Sequence, residues 1–324
     1  MLVLGIETSC DETAVGIVAD GRRLLANIVA SQAAIHARYG GIVPEVASRH
    51  HIESMLPVVR AALAAAACQP SDLDAVAVTA GPGLAGSLLV GLNTAKALAY
   101  AWSKPLIAVN HLEGHLYANW LGDGTPELPA VVLIVSGGHS EIILAEGHGR
   151  YRLLGRTRDD AAGEAFDKAA RVLGLGFPGG PAIERSAQAA GPKPPRLPRA
   201  WLGVSNDFSF SGLKTAVARV AQEGKAPVAD IAAAFQTAVI DVLTKKTVRA
   251  AAENGARCVL LSGGVAANGP LRAALRQASP VPVWVPPPVL CTDNGAMIAA
   301  AAHFCAEAGA AGLDLDVRAA WPLA

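Results

Sequence analysis

Apolar positions in this chain fall in short runs that end in polar or glycine-rich turns. The clearest are LVLGIETSCDETAVGIV (2–18), AVAVTAGPGLAGSLLVG (75–91), AVVLIVSGGHSEIILA (130–145) and CVLLSGGVAANGPL (258–271). Each opens on a short apolar stretch that reads as a strand. The first and third predict strand, polar turn, strand; the second and fourth predict strand, glycine turn, helix. The same pair of units thus occurs in each half, which predicts an internal duplication. Helical stretches bounded by Gly, Pro and Asn/Asp signals are expected near 44–67, 87–102, 110–120, 159–173, 212–222, 228–254 and 294–309. Strands alternating with helices imply two α/β domains with ligand in the cleft between them. The proline-dense GPKPPRLPRA (191–200) reads as an extended surface insertion. A boundary near Lys104 to Asn110, with the last helix returning, divides the chain into 1–107 plus 295–324 and 108–294.

Length supports two domains, since 324 residues exceed one ordinary core. Hydrophobic residues make up 52% and aromatics 5%, so the core is aliphatic. Lys plus Arg and Asp plus Glu balance at 27 each, which removes any global attraction to nucleic acid or anionic membrane. A polyanion would have to meet a local patch. Arg150, Arg152, Arg156 and Arg158 form one such cluster and Lys193, Arg196 and Arg199 another, though composition alone makes both solvated surface. Five scattered cysteines without C-x-x-C suggest reduced thiols rather than a disulfide framework or zinc ribbon. The N-terminus lacks a basic n-region, and no apolar run nears the roughly 18 residues of a membrane span. A cytoplasmic protein without a membrane partner is expected.

Chemistry concentrates in the turns. Backbone N–H groups in SGG (136–138), SGG (262–264), GPG (81–83) and PGGP (178–181) suit phosphate oxygens. In NHLEGH, Asn110 is a good N-cap, and His111 and His115 lie about 40° apart on a helix, able to grip one divalent metal, though the spacing alone equally fits two surface or partly buried histidines. The helix dipole is expected to disfavour imidazolium there. Glu113 falls about 200° from His111, nearly opposite, so it cannot be the base of an H-E-x-x-H protease. Gly114 also weakens the helix. Asp293 in CTDNGA would cap the final helix and retain a second oxygen as third ligand, and a His, His, Asp set leaves positions open for Lewis-acid catalysis. Asp160, Glu164 and Asp167 share a helical face upstream of Glu184, where acids can accept from ribose hydroxyls; spacing equally fits a solvated acidic face. No nucleophile elbow, Walker loop or G-x-G-x-x-G is present.

Taken together, GIETSCDET, YGGIVPEVASRHH, TAGPGLAGSLLVG, NHLEGH, IVSGGHSE, DDAAGEAFDK, GFPGGP, FSFSGLKT, SGGVAAN and CTDNGAMI resemble the universal tRNA adenosine threonylcarbamoyltransferase family, in order from residue 5 to about 300. The resemblance implies a duplicated actin-like (RNase-H-like, ASKHA superfamily) fold with an interdomain nucleotide and metal cleft. It implies transfer of threonylcarbamoyl from threonylcarbamoyl-AMP to the N6 amine of the adenosine 3′ of the anticodon, in tRNAs reading codons that begin with A, with release of AMP. Carried over by motif, His111, His115 and Asp293 are the metal ligands and act through the metal. Ile134, Val135, Ser136, Gly137 and Gly138 approach the adenylate, and Asp167, Gly180, Glu184 and Asn268 bind its nucleotide part. Archaeal and eukaryotic members commonly carry Tyr where this chain has Ile134, which implies the bacterial branch. Iron is the implied divalent ion, with Zn2+ or another admitted by the ligands. An inactive paralogous subunit and a small P-loop ATPase are the implied partners beside tRNA. No side chain need be a covalent nucleophile; His139 is a candidate proton acceptor and Lys214 a candidate phosphate contact. Glu45, Arg49, His50 and His51 receive no role. The competing readings are a phosphotransferase on the same fold, a non-catalytic scaffold paralogue and a metalloprotease.

Overall fold

The computed structural model describes residues 1–305 and 310–324. In chain order the N-terminal part forms strands β1 (Leu2–Glu7), β2 (Glu12–Ala19) and β3 (Arg23–Ser31), helices α1 (Ala33–Ala37) and α2 (Pro44–Ala65), strand β4 (Ala75–Gly81), helix α3 (Ala85–Trp102), strand β5 (Leu106–Asn110) and helix α4 (His111–Tyr117). Next come β6 (Ala130–Val135), β7 (Ser140–Gly147), β8 (Arg150–Arg156), α5 (Ala162–Val172), α6 (Gly179–Ala187), α7 (Ser211–Glu223), α8 (Val228–Glu253), β9 (Cys258–Ser262), α9 (Gly269–Ala278) and β10 (Val283–Trp284). The last helix is α10 (Gly295–Phe304). The expected helix over 294–309 is thus described up to Phe304; positions 306–309 lie outside the described residues.

Two five-stranded sheets result, ordered β3-β2-β1-β4-β5 and β8-β7-β6-β9-β10. In the first, β1 is antiparallel to β2 and parallel to β4; in the second, β6 is antiparallel to β7 and parallel to β9. The predicted duplication is therefore a duplication of topology. Strands β4, β6 and β9 are buried at every position, as expected of parallel strands covered on both faces, which is why they read as unbroken apolar runs.

The chain divides into one compact unit of Met1–Thr125 with Pro286–Ala324 and another of Pro126–Val285. These limits differ from the expected 107/108 and 294/295, and the difference places His111, His115 and Asp293 together in the first unit. Packing explains it. Helix α4 lies against α10, and Tyr117 stacks on Phe304 with ring centres 4.9 Å apart. Trp120 reaches the same ring at 5.8 Å.

Helix α10 also sets the depth of the first unit's core. Gly5 and Gly16 are cross-strand partners on β1 and β2. A Cβ on Gly5 would run into backbone atoms of Gly295 and Ala299, and one on Gly16 into the backbone of Ala296. The absence of side chains lets the helix lie directly on the sheet. Gly114 does the same for α4, since a Cβ there would sit 2.7 Å from Ile298 Cδ1. Its cost in helix propensity is offset by close packing.

Candidate metal centre and nucleotide-binding loops

Within the first unit, two capped helix starts deliver three side chains to one point. The Asn110 side chain accepts from Leu112 N at 2.9 Å, starting α4 at His111. Its Nδ2 donates to the Trp321 carbonyl at 3.0 Å, so the C-terminal segment braces the cap. Asn294, rather than Asp293, caps α10 by accepting from Met297 N at 2.9 Å. The Asp293 carboxylate faces the two histidines. Its Oδ1 lies 3.1 Å from His115 Nε2 and 3.6 Å from His111 Nε2. One donor atom from each of the three residues falls within 4.8 Å of the others.

The donor set fits a divalent ion. Ligand bonds of about 2.1 Å place neighbouring ligand atoms roughly 3.0 to 3.5 Å apart; the His115–Asp293 spacing of 3.1 Å falls in that range and the His111–Asp293 spacing of 3.6 Å just beyond it. Among the described residues, His115 has no hydrogen-bond partner at either ring nitrogen although both are buried. Its 3.1 Å contact with Asp293 lacks hydrogen-bond geometry, so an imidazole nitrogen and a carboxylate oxygen stand side by side. An orphaned buried imidazole beside a carboxylate is costly unless a cation joins them.

Glu7, on β1, supports the first histidine. It is fully buried, and its Oε2 lies 3.0 Å from His111 Nδ1 and accepts from Thr79 Oγ1 at 2.6 Å. Ser9 N donates to its other oxygen, and Ser9 Oγ lies 3.1 Å from His111 Nδ1. Acceptors at Nδ1 fix the proton there and leave Nε2 as the ligand atom, the carboxylate–histidine arrangement found behind many metal sites. Burial opposes charge on His111, but the Glu7 and Asp293 carboxylates outweigh it and push its pKa up to about 9. Burial would raise the Glu7 pKa, yet His111 holds it below the usual carboxylate value. Two carboxylates thus favour positive charge at the His111 ring, opposite in sign to what the helix dipole alone leads one to expect. Burial first, then Asp11, Asp293 and Glu12, drive the Cys10 thiol pKa upward, so it is no thiolate nucleophile. Glu113 accepts from Cys305 Sγ at 3.0 Å, a contact apart from the ligand trio and consistent with its opposite position on α4.

The second unit links the expected nucleotide-binding residues. Gly163 N, on α5, donates to the Ser136 carbonyl at 3.0 Å, joining that helix to the SGG turn. One turn later Asp167 accepts from Gly179 N at 2.7 Å, next to Gly180 at the start of α6. Glu184 follows one turn on and accepts from Gly269 N at 3.1 Å and Asn268 Nδ2 at 3.2 Å. Asn268 also caps α9 through Leu271 N and donates to Gln236 at 2.9 Å. Gly137, Gly138 and Gly180 have open space where a side chain would stand. A hollow of about 510 Å³ beside the SGG turn is lined by Gly138, His139, Arg156, Arg158 and Asp207 among others.

Three expectations change in detail. Ile134 and Val135 are fully buried in β6, so their side chains face the core; Ser136, Gly137 and Gly138 are the accessible part of that stretch. Asp160 and Glu164 are bound by Lys168 at 2.6 and 2.9 Å, which separates them from Asp167. The arginine cluster at and just after β8 is partly neutralised, Arg158 by Asp207 at 2.9 Å and Arg152 by Glu146 at 3.4 Å. Glu7, Ser9, Thr79 and Gln236 are participants the sequence did not single out. The one signal was an acid closing an otherwise apolar strand, LVLGIE.

Comparison with known proteins follows the same lines. Residues 23–300 match the family model described as TsaD: tRNA N6-adenosine threonylcarbamoyltransferase. A protein of that name from Thermomicrobium roseum is 59% identical, covering 100% of this chain and 97% of its own. Component A of (R)-2-hydroxyglutaryl-CoA dehydratase from Acidaminococcus fermentans superposes with a TM-score of 0.58 at 16% identity, over 95% of this chain and 100% of that one. Full-length HypF in its phosphate- and nucleotide-bound form gives 0.62 at 14%, over 95% of this chain and 46% of that one. The two structures show the fold, which is the duplicated actin-like one.

Proposed function

The chain belongs to the tRNA N6-adenosine threonylcarbamoyltransferase family, tRNA-modifying acyltransferases, and from that premise we propose that His111, His115 and Asp293 form its catalytic metal centre. The observation that carries this reading is the orphaned, buried His115 imidazole beside Asp293. Two imidazoles and one carboxylate with open positions suit Fe2+, and Zn2+ or another divalent ion is compatible with the same donors. When bound, such an ion supplies Lewis-acid polarisation of the carbonyl under attack and neutralises developing charge.

The chain's own groups bind and orient. The donor is threonylcarbamoyl-AMP and the acceptor the N6 amine of the adenosine 3′ of the anticodon, with AMP leaving. Backbone N–H groups of Gly137 and Gly138 face the adenylate phosphate, while Ser136 N closes the turn by donating to the His139 carbonyl at 2.8 Å, and the open space at the two glycines supports close approach. Glu184 accepts from ribose hydroxyls, held by Asn268 and Gly269, while Asp167 fixes the Gly179–Gly180 turn. Glu7 holds the His111 ring. An inactive paralogous subunit and a small P-loop ATPase complete the assembly, in the cytoplasm. Among the described residues no helix is long and apolar enough to cross a membrane.

Incubation of metal-loaded protein with threonylcarbamoyl-AMP and unmodified tRNA, followed by mass spectrometry of the nucleosides, tests this. The expected products are threonylcarbamoyladenosine and AMP in equal amounts, lost in His115→Ala and Asp293→Ala variants of unchanged circular dichroism. Full activity in both variants would overturn the metal centre. A phosphorylated product would make the chain a phosphotransferase instead.

A further inference from the structure

The extended segment around Trp201 carries a binding feature separate from the metal centre and the nucleotide loops. It runs along α8 and is tied to it at successive turns of the helix. Arg199 Nε and Nη2 donate to Asp241 Oδ2 at 3.0 and 2.8 Å. Lys245 Nζ stands 5.0 Å over the Trp201 ring. Arg249 Nη2 donates to the Ser205 carbonyl at 2.9 Å and to Asn206 Oδ1 at 2.6 Å. Between the last two ties the backbone turns through Leu202 and Gly203, both left-handed at φ +53° and +62°. A leucine adopts that conformation only when its surroundings hold it there.

The turn leaves a hollow of about 340 Å³ lined by Trp201, Gly203, Lys245, Lys246 and Arg249. Its lining holds three cations and an aromatic face and no carboxylate. Trp201 remains 40% exposed although apolar burial would favour covering it. Lys246 is inward and spent on the Ser205 and Asp207 carbonyls, which fixes the floor, while Lys245 is exposed. A chain with no net charge gains affinity for a polyanion from such local groups. An aromatic face flanked by Lys and Arg is the chemistry that receives unstacked bases and their phosphates.

We infer that this hollow is a tRNA contact that holds one unpaired nucleotide, its base on Trp201 and its phosphate on Lys245, with Arg249 bracing the wall through Ser205 and Asn206; this rests on the family reading that tRNA is the substrate. The test is tryptophan emission and tRNA affinity in wild type, Trp201→Phe, Trp201→Ala and Lys245→Ala, titrated with unmodified tRNA and with duplex RNA of equal length. Unmodified tRNA should quench part of the wild-type emission, and that part should vanish in Trp201→Phe, which keeps the packing. Trp201→Ala and Lys245→Ala should raise the tRNA Kd about tenfold, and Lys245→Ala should lower the slope of log K against log salt by about one. Metal content should not change. Wild-type Kd and KM for tRNA in both alanine variants, while wild type makes the modified nucleoside, overturns the inference and leaves the family reading intact. Equal weakening for duplex RNA also overturns it, since a duplex offers no base to stack. A wild-type protein that binds no tRNA overturns both.

Discussion

At the scale of residues, the central arrangement is a histidine held from behind by a carboxylate that cannot itself reach solvent. Glu7 accepts from Ser9 N and Thr79 Oγ1, and its remaining partner is His111. Glu7→Gln keeps shape but loses the charge that favours a cation on the far side of the ring. Metal affinity, measured by competition with a chelator, should fall about 10- to 100-fold, with the folded state retained; unchanged affinity would deny Glu7 its role. The candidate trio was legible, because a four-residue histidine spacing and a carboxylate before a helix are local signals, and the structure brings the three side chains together. Glu7 was not, because its meaning depends on β1 and α4 being brought together from distant parts of the chain. The exclusion of Glu113 needed only helix geometry. The charge state of His111 needed carboxylates that no local pattern reveals.

At the scale of elements, α10 is placed by glycines that let it touch the sheet. Gly16→Ala would press a methyl group into the Ala296 backbone, which has no rotamer with which to yield. It should destabilise the protein by about 1–3 kcal/mol or more, read from a urea midpoint, and weaken metal binding because Asp293 precedes the displaced helix. An unshifted midpoint would mean that α10 does not pack as described. A second element-level tie is Asp159, which accepts from Phe210 N at 2.8 Å, Ser211 N at 3.3 Å and the Ser209 and Ser211 hydroxyls at 2.5 and 3.0 Å. Burial would raise its pKa, but these donors together hold it below the usual 3.8. A carboxylate depressed on folding stabilises the native state above its unfolded value, and that contribution is lost as pH falls through the folded value. The stability gap between wild type and Asp159→Ala should therefore be widest above pH 3.8 and narrow below it, in urea titrations at successive pH. A gap independent of pH would rule out the ionised carboxylate as the tie. Continuous apolar runs made β4, β6 and β9 readable. Strand β8 was hidden, since an edge strand alternates and its outward arginines looked like a surface charge cluster. Helix α6 was hidden by Pro178 and Gly179–Gly180, which read as a turn although proline is tolerated at a helix start.

At the scale of the whole molecule, two sheets of the same strand order carry different equipment. The first unit holds the ligand trio and its supporting carboxylate; the second holds the glycine turns, Asp167, Glu184 and Asn268. The paired strand–turn units made the duplication legible, whereas the unit boundaries depended on aromatic packing of Tyr117 and Trp120 against Phe304, which periodicity does not report. The most direct measurement of the account is the initial rate of threonylcarbamoyladenosine formation as a function of metal bound per chain, after chelation and stepwise reloading with Fe2+, in wild type and His115→Ala. The account predicts a rate proportional to occupancy in wild type, with neither binding nor rate recovered in the variant. A wild-type rate that survives complete chelation, or a variant that transfers the group without binding metal, would contradict it.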